Sequence, residues 1–290
     1  MPSIHLPSQL GRTVRRCGAT ALCFVACGFL AGCGADKYEQ RLRESKKYYN
    51  ELELIELNLA PKWADGRVVE AIRVPKQFQP IPAPQPIKLE DGTVEMPAVD
   101  PRQPDYLNLV FPANELIGAW EAPFEITLPD DTRDTRKAHI YVLSNYWMFV
   151  GEDPNLALKF TPAMVERVGA ALDDHLLPET VENPPKELHP KPGGYLPSAS
   201  YSLFTFKPKP ITQRSTETET TVNYTFEMFA KQNADIQCVV LVVLPENISS
   251  QEKLRERIPM MLDHFAITAV APRPDANPNA PAQSSAPVAF

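Results

Sequence analysis

The chain has 290 residues, 31 of them proline, and carries 29 basic against 36 acidic residues for a formal charge of −7. That balance speaks against a nucleic-acid binder, whose affinity comes mainly from Lys and Arg on phosphates. The length provides for one domain core with tracts outside it, and the prolines cluster in stretches that no helix or sheet interior accepts.

Arg12, Arg15 and Arg16 precede an apolar core at residues 19–30, which closes on Leu30-Ala31-Gly32-Cys33. A basic region, a short apolar region and a small-residue site together make a secretory signal. The uncharged run at 17–35 could just span a bilayer as a helix. Gly18, Gly28, Gly32 and Gly34 each weaken that helix, so an uncleaved membrane helix is the lesser alternative. These residues resemble a bacterial lipoprotein signal, and Leu30-Ala31-Gly32-Cys33 matches its lipobox in full. The resemblance implies that residues 1–32 are a signal peptide. It also implies that the Cys33 sulfur receives a diacylglyceryl thioether and that Cys33 becomes an acylated N-terminus. One acyl chain binds membranes marginally, whereas two or more anchor stably. Gly34 stands where an Asp would favour inner-membrane retention, which leans to the outer membrane, on the periplasmic side of the cell envelope.

Cleavage there removes three arginines and no acid, so the formal charge moves from −7 to −10. Cys17, Cys23 and Cys27 leave with the signal, Cys33 is lipidated, and Cys238 remains alone, so no intrachain disulfide is possible. The domain must be held by its core.

Residues 36–59 read as an amphipathic helix, with Tyr38, Leu42, Tyr49, Leu52 and Leu59 on a four–three alternation that Ser45 and Glu56 interrupt. It would span about 36 Å and serve as a spacer or docking helix. Too few heptads are present for a firm coiled coil. Pro61 ends it. Residues 66–74 read as a strand stopped by Pro75, and residues 75–105 as a Pro-rich loop of polyproline type. Short strands are expected at 107–111 and 124–128, a charged turn at 130–134 and a long strand at 138–150. Thr161 as N-cap and Pro162 open a helix that buries Met164, Val165, Val168, Leu172 and Leu176 and stops at Pro178. A second Pro-rich loop covers 178–197. Strands follow at 201–206 and at 216–228, with Val222, Tyr224, Phe226 and Met228 on one face. After a hairpin loop at 231–235, the apolar run 236–244 suits a central strand covered on both faces, with Cys238 inside it as a small hydrophobe. Ser249 and Glu252 make a capping-box pattern for a helix to about His264, which Pro259 should kink or split. A short strand is expected at 267–270, and a disordered tail at 271–290.

The pattern gives an α+β fold: an antiparallel sheet with packed helices at 62–270, preceded by the lipidated N-terminus and amphipathic helix at 33–61. Its ending runs through an alternating strand, a central apolar strand, Leu244-Pro245, a capped helix and Phe265-Ala266-Ile267. That ending, with Ile72 to Pro75 followed by Phe78 at the start, resembles PsbP-like domains. The resemblance implies an α/β/α sandwich in an extrinsic, membrane-associated protein with a binding or assembly role. It brings no catalytic residues, and the Pro-rich insertion departs from its pattern.

No constellation for chemistry emerges. His139, His175, His189 and His264 lack metal-ligand spacing, and Asp173-Asp174-His175 and Asp263-His264 read as solvated helix ends. Ser198 and Ser200 have no nucleophile context. Asp130, Asp131 and Asp134 lack the pattern of a Ca²⁺ loop. Trp120, Tyr141, Tyr146 and Trp147 could line a ligand pocket, though at strand spacing such aromatics are more often core. The expectation is therefore a lipid-anchored envelope lipoprotein with a non-catalytic protein-binding or scaffolding role. Its partners are the membrane and an envelope protein; it needs no cofactor or metal, and Cys33 is the one site. The alternative is a small-ligand-binding or hydrolytic lipoprotein with an aromatic-lined cleft.

Overall fold

A computed structural model describes residues 36–89, 93–95, 100, 102–103, 111–112, 114–128, 130–151, 154–191, 195–214 and 219–272. The signal segment, Cys33, the strand expected at 107–111 (apart from Phe111) and the tail beyond 272 lie outside them. No helix among the described residues is long and apolar enough to cross a membrane.

Helix α1 covers residues 36–58. The body then follows in chain order as β1 (Val69–Ala71), β2 (Gln79–Pro80), β3 (Ile87–Lys88), β4 (Val94–Glu95), β5 (Leu116–Thr127) and β6 (Arg133–Ser144). Next come α2 (Met148–Gly151), α3 (Pro154–Leu158), α4 (Phe160–Leu172), α5 (Pro178–Glu182), β7 (Lys186–His189) and β8 (Ala199–Phe206). The chain closes with β9 (Ile211–Arg214), β10 (Glu219–Val222), β11 (Tyr224–Asn233), β12 (Ile236–Pro245), α6 (Leu254–Asp263) and β13 (Ala266–Ile267). The fold is α+β. Its main sheet has seven strands in the order β2-β5-β6-β12-β11-β8-β7, every pair antiparallel.

β12 lies at the centre, hydrogen-bonded to β6 and β11. Its apolar run is explained by two cores. Ile236, Cys238, Val240 and Val242 enter one. Val239, Leu241 and Val243 enter the other. Successive strand residues point to opposite faces, so both parities must be apolar when both faces are covered. α6 covers the first face with Leu254, Ile258, Met261 and Leu262. α4 covers the second with Phe160, Met164, Val165, Val168 and Leu172. Val222, Tyr224, Phe226 and Met228 share that second core, as their alternation requires.

Several boundaries differ from the sequence reading. β5 is a 12-residue strand that already begins at Leu116, ahead of the strand expected at 124–128, and it contains Pro123. Proline is tolerated there because β2 covers only Glu121 and Trp120 of that edge, so no ladder bond is lost at Pro123. β6 begins inside the expected charged turn at Arg133 and leaves the sheet after Ser144, so Tyr146 and Trp147 are not strand residues. The cause is Asn145: its Nδ2 donates to Ala157 O and Asp235 O, and its Oδ1 accepts from Gln237 N, which turns the chain out of the ladder. Thr161 is not an N-cap. α4 starts at Phe160, and both the amide and the hydroxyl of Thr161 donate to Gln237 Oε1. α4 ends at a left-handed Asp173, short of Leu176, and Pro178 instead opens α5 inside the expected loop. That loop also contains β7. The hairpin β11–β12 turns on Ala234 and Asp235 alone. Ser249 caps only a 3₁₀ turn at Ser250–Glu252, and α6 starts after a left-handed Lys253. Pro259 lies within α6, which stays one helix.

The chain from 58 to 76 doubles back on itself. Ala60 N donates to Val74 O, Trp63 and Ile72 exchange both backbone bonds, and Lys76 N donates to Asn58 O. The expected strand at 66–74 is therefore one arm of this excursion, and Asp65-Gly66 is its tip. β13 pairs with β1 on the other side.

Candidate functional site

Cys33, the one site residue expected from sequence, lies outside the described residues. The remaining candidates fall into three places on the body.

The first is a buried polar cluster that includes Asp100, Arg102, Gln103 and Glu115. Arg102 Nε donates to both Asp100 oxygens, at 2.8 and 2.9 Å, and Arg102 Nη2 reaches Asp100 and the Leu116 carbonyl. Tyr141 lies under them, its hydroxyl 3.5 Å from Arg102 O. Gln103 exchanges two bonds with the Phe111 backbone, and Arg167 pairs with Glu115 at 2.5 Å. His139 stacks on Tyr141 with its Nε2 3.9 Å from Glu121. Burial pushes the His139 imidazole down to about 4, against the pull of Glu121. The same burial raises the Tyr141 phenol. Each buried carboxylate here meets a guanidinium, which fits a loop fastened to a sheet.

The second place is the opposite end of the sheet. His189, on edge strand β7, has Nδ1 2.8 Å from Asp263 Oδ1 and Nε2 3.2 Å from Glu187 Oε2. Tyr201 meets the His189 ring edge to face and donates its hydroxyl to Leu262 O at 2.9 Å. Lys231 lies over the Tyr201 and Phe265 rings and donates to Phe265 O. Burial holds the Lys231 ammonium below its ordinary range, and burial together with Glu187 raises the Glu227 carboxyl. A His–Asp pair suggests a general base, but such a base needs one ring nitrogen facing a nucleophile. Here both nitrogens face carboxylates. Ser198 donates to Pro190 O, and Ser200 lies on β8 opposite Leu188. The cluster ties the end of α6 to the sheet edge.

The third place is the tip at Asp65-Gly66. The Asp65 carboxylate accepts backbone N–H bonds from Arg67, Val68 and Val69 at 3.1, 2.8 and 2.6 Å. Gly66 holds φ 76°, which a side chain would strain. The Arg67 guanidinium lies 5.1 Å above the Trp147 ring, and Trp147 meets Tyr146 edge to face. Beside them is a cleft of about 340 Å³ lined by Ala64, Gly66, Arg67, Val69, Glu70 and Thr268. Trp120 and Tyr141 do not join it. They are buried on opposite faces of the sheet, Trp120 against Trp63 at 5.1 Å. The four aromatics therefore form no common pocket.

The other candidates are dispersed. Asp130 accepts from the Thr132 amide and hydroxyl, and Asp134 pairs with Arg136. Asp173 pairs with Lys209, Asp174 accepts from Lys207 N, and His175 is exposed. His264 is half-buried at the α6 C-cap. Cys238 is fully buried, and burial pushes its thiol up to about 12. Among the described residues no group of three His, Cys, Asp or Glu side chains is arranged to hold a metal ion. The sequence reading passed over Asp65, Arg67, Asp100, Arg102, Glu115 and Glu187. The Asp65-Gly66 turn signal could have marked the tip. The others pair with residues distant in sequence or within a Pro-rich stretch and leave no local sign.

The chain matches no protein-family model, no curated protein and no solved structure.

Proposed function

We propose that the chain is a lipid-anchored envelope lipoprotein whose domain binds or scaffolds another envelope protein without catalysing a reaction. The observation that carries this reading is the lipobox Leu30-Ala31-Gly32-Cys33 behind a basic and apolar leader. Acyl chains on Cys33 hold the protein to a membrane, and Gly34 favours the outer one. The non-catalytic part is supported by His189, whose two nitrogens both face carboxylates, and by the buried location of Cys238. The domain is read as an extrinsic α/β/α sandwich of the PsbP-like kind. Helices α6 and α4 on opposite faces of one antiparallel sheet support that reading.

Two experiments test the two halves. Radiolabelled fatty acid should enter the wild-type chain and not a Cys33→Ala variant. Crosslinking in intact envelopes followed by pull-down should return the same protein partner repeatedly, and its consistent absence would remove the scaffolding role.

A second reading, small-ligand binding, rests on the cleft beside the Arg67–Trp147 pair. Guanidinium favours carboxylates, so a small carboxylate should shift Trp emission in the wild type and not in Arg67→Ala. No response across small carboxylates would dismiss it.

A further inference from the structure

The described residues of helix α1 begin three positions after Cys33, and residues 36–50 are exposed on every side. Tyr38, Leu42 and Tyr49 are 69, 58 and 67 % exposed. At 3.6 residues per turn they fall within about 40° of one another. They form a single apolar stripe that none of the described residues covers, with Arg41 and Lys46 on its two flanks. Charge is uneven along the helix. Lys37, Arg41, Arg43, Lys46 and Lys47 outnumber Asp36, Glu39 and Glu44 in the first half, whereas the second half carries Glu51, Glu53 and Glu56 and no cation. In an acidic protein, positive charge is thus concentrated at the end nearest Cys33.

We infer that the first half of α1, from Lys37 to Tyr49, lies in the surface of an anionic bilayer with the Tyr38–Leu42–Tyr49 stripe facing the acyl chains. This rests on the proposed lipid anchor at Cys33. Gly34 and Ala35 allow a reach of at most about 11 Å, close to the Debye length of about 8 Å in physiological salt. The helix start is therefore held where anionic headgroups act on it. An amphipathic helix with basic flanks suits the bilayer interface, and Tyr prefers headgroup depth with its hydroxyl in water. Arg41 and Lys46 can lay their stems along the apolar face and keep their charges among the headgroups. Each cation near such a surface raises partitioning by about fivefold. A second copy of this chain fits less well, because Ser45 and Glu56 interrupt the seam that a coiled coil would need.

The test uses the full-length protein extracted from its envelope, with a nitroxide on Leu42→Cys or, on the opposite face, Glu44→Cys. Cys238 is buried and does not compete for the label. The protein is reconstituted in phosphatidylcholine vesicles with or without phosphatidylglycerol, and accessibility to a water-soluble relaxant is read by EPR. The expected result is a shielded label at Leu42 and an accessible one at Glu44 when phosphatidylglycerol is present. The K37Q/R41Q/K46Q/K47Q variant should lose most of that shielding. A Leu42 label as accessible as the Glu44 label in both vesicle types overturns the inference. Dipolar broadening between labels, with shielding that persists in detergent, overturns it in favour of a second copy. The mass of the N-terminal peptide from the same sample separates the two claims. Acylated Cys33 with an accessible Leu42 label defeats the helix placement alone, and unmodified Cys33 defeats the anchor on which it rests.

Discussion

His189 and Asp263 meet at 2.8 Å, Nδ1 to Oδ1, and the contact joins edge strand β7 to the last residue of α6 across 74 positions of sequence. Glu187 holds the other nitrogen. An imidazolium can donate to both carboxylates, whereas the neutral ring can donate to only one. Asp263→Ala should cost about 1–2 kcal/mol. Hydrogen exchange of the α6 amides should accelerate first, because this contact fastens that helix. An unchanged exchange pattern would contradict the role given to the pair.

His139 gives the domain an acid-side weakness. The unfolded imidazole takes its proton near 6.5, whereas the buried one resists to about 4. Between those values the unfolded chain binds more protons, so stability is full above 6.5 and falls as pH drops through the window. The loss by pH 4 should be about 3 kcal/mol. Urea unfolding of the wild type and of His139→Gln at a series of pH values checks this: the difference between them should grow in favour of the variant as pH falls. A constant difference would show that His139 does not titrate in that range.

Asp100 and Arg102 are 2 and 4 % exposed, so neither charge can turn to water when its partner is lost. Arg102→Met should therefore cost about 3–5 kcal/mol. The double variant Asp100→Leu with Arg102→Met should recover much of that loss, because no bare charge remains. A double variant as unstable as the single one would mean that the Leu116 and Tyr141 contacts, and not the ion pair, hold this loop.

Gly118 lies under two indole rings. A Cβ there would approach Trp120 Cη2 to 2.6 Å and Trp63 Cη2 to 3.2 Å. The Trp120 ring is buried and cannot swing aside without disturbing the core. Gly118→Ala should cost about 1–3 kcal/mol by overpacking, read by denaturant unfolding with a change in Trp emission. A neutral substitution would show that the rings can separate freely.

Cys238 should be inert in the native state. Its thiol is buried and pushed up to about 12, and the thiolate is the reactive form. A thiol reagent should react with it only at the rate of unfolding, and fast labelling under native conditions would contradict its place in the core.

The central strand was readable because both of its parities are apolar, and Val222 to Met228 because their alternation names the buried face. α4 and α6 were readable from their stripes. Boundaries were less so, where a side chain from a distant segment intervened. Asn145 ends β6 by bonding residues at 157, 235 and 237, and Gln237 occupies Thr161, which by local rules is a helix cap. Pro123 lies inside β5, where only the strand's partly uncovered edge explains its presence. The polar clusters were invisible for the same reason. Asp263 and His189 look like ordinary helix-end and loop residues until the fold brings them together.

The lipid anchor is tested most directly by the mass of the N-terminal peptide of protein extracted from its envelope. A peptide that begins at Cys33 and carries acyl chains is the expected result. A chain that still begins before Cys33, or a Cys33→Ala variant that still takes up labelled fatty acid, would contradict it.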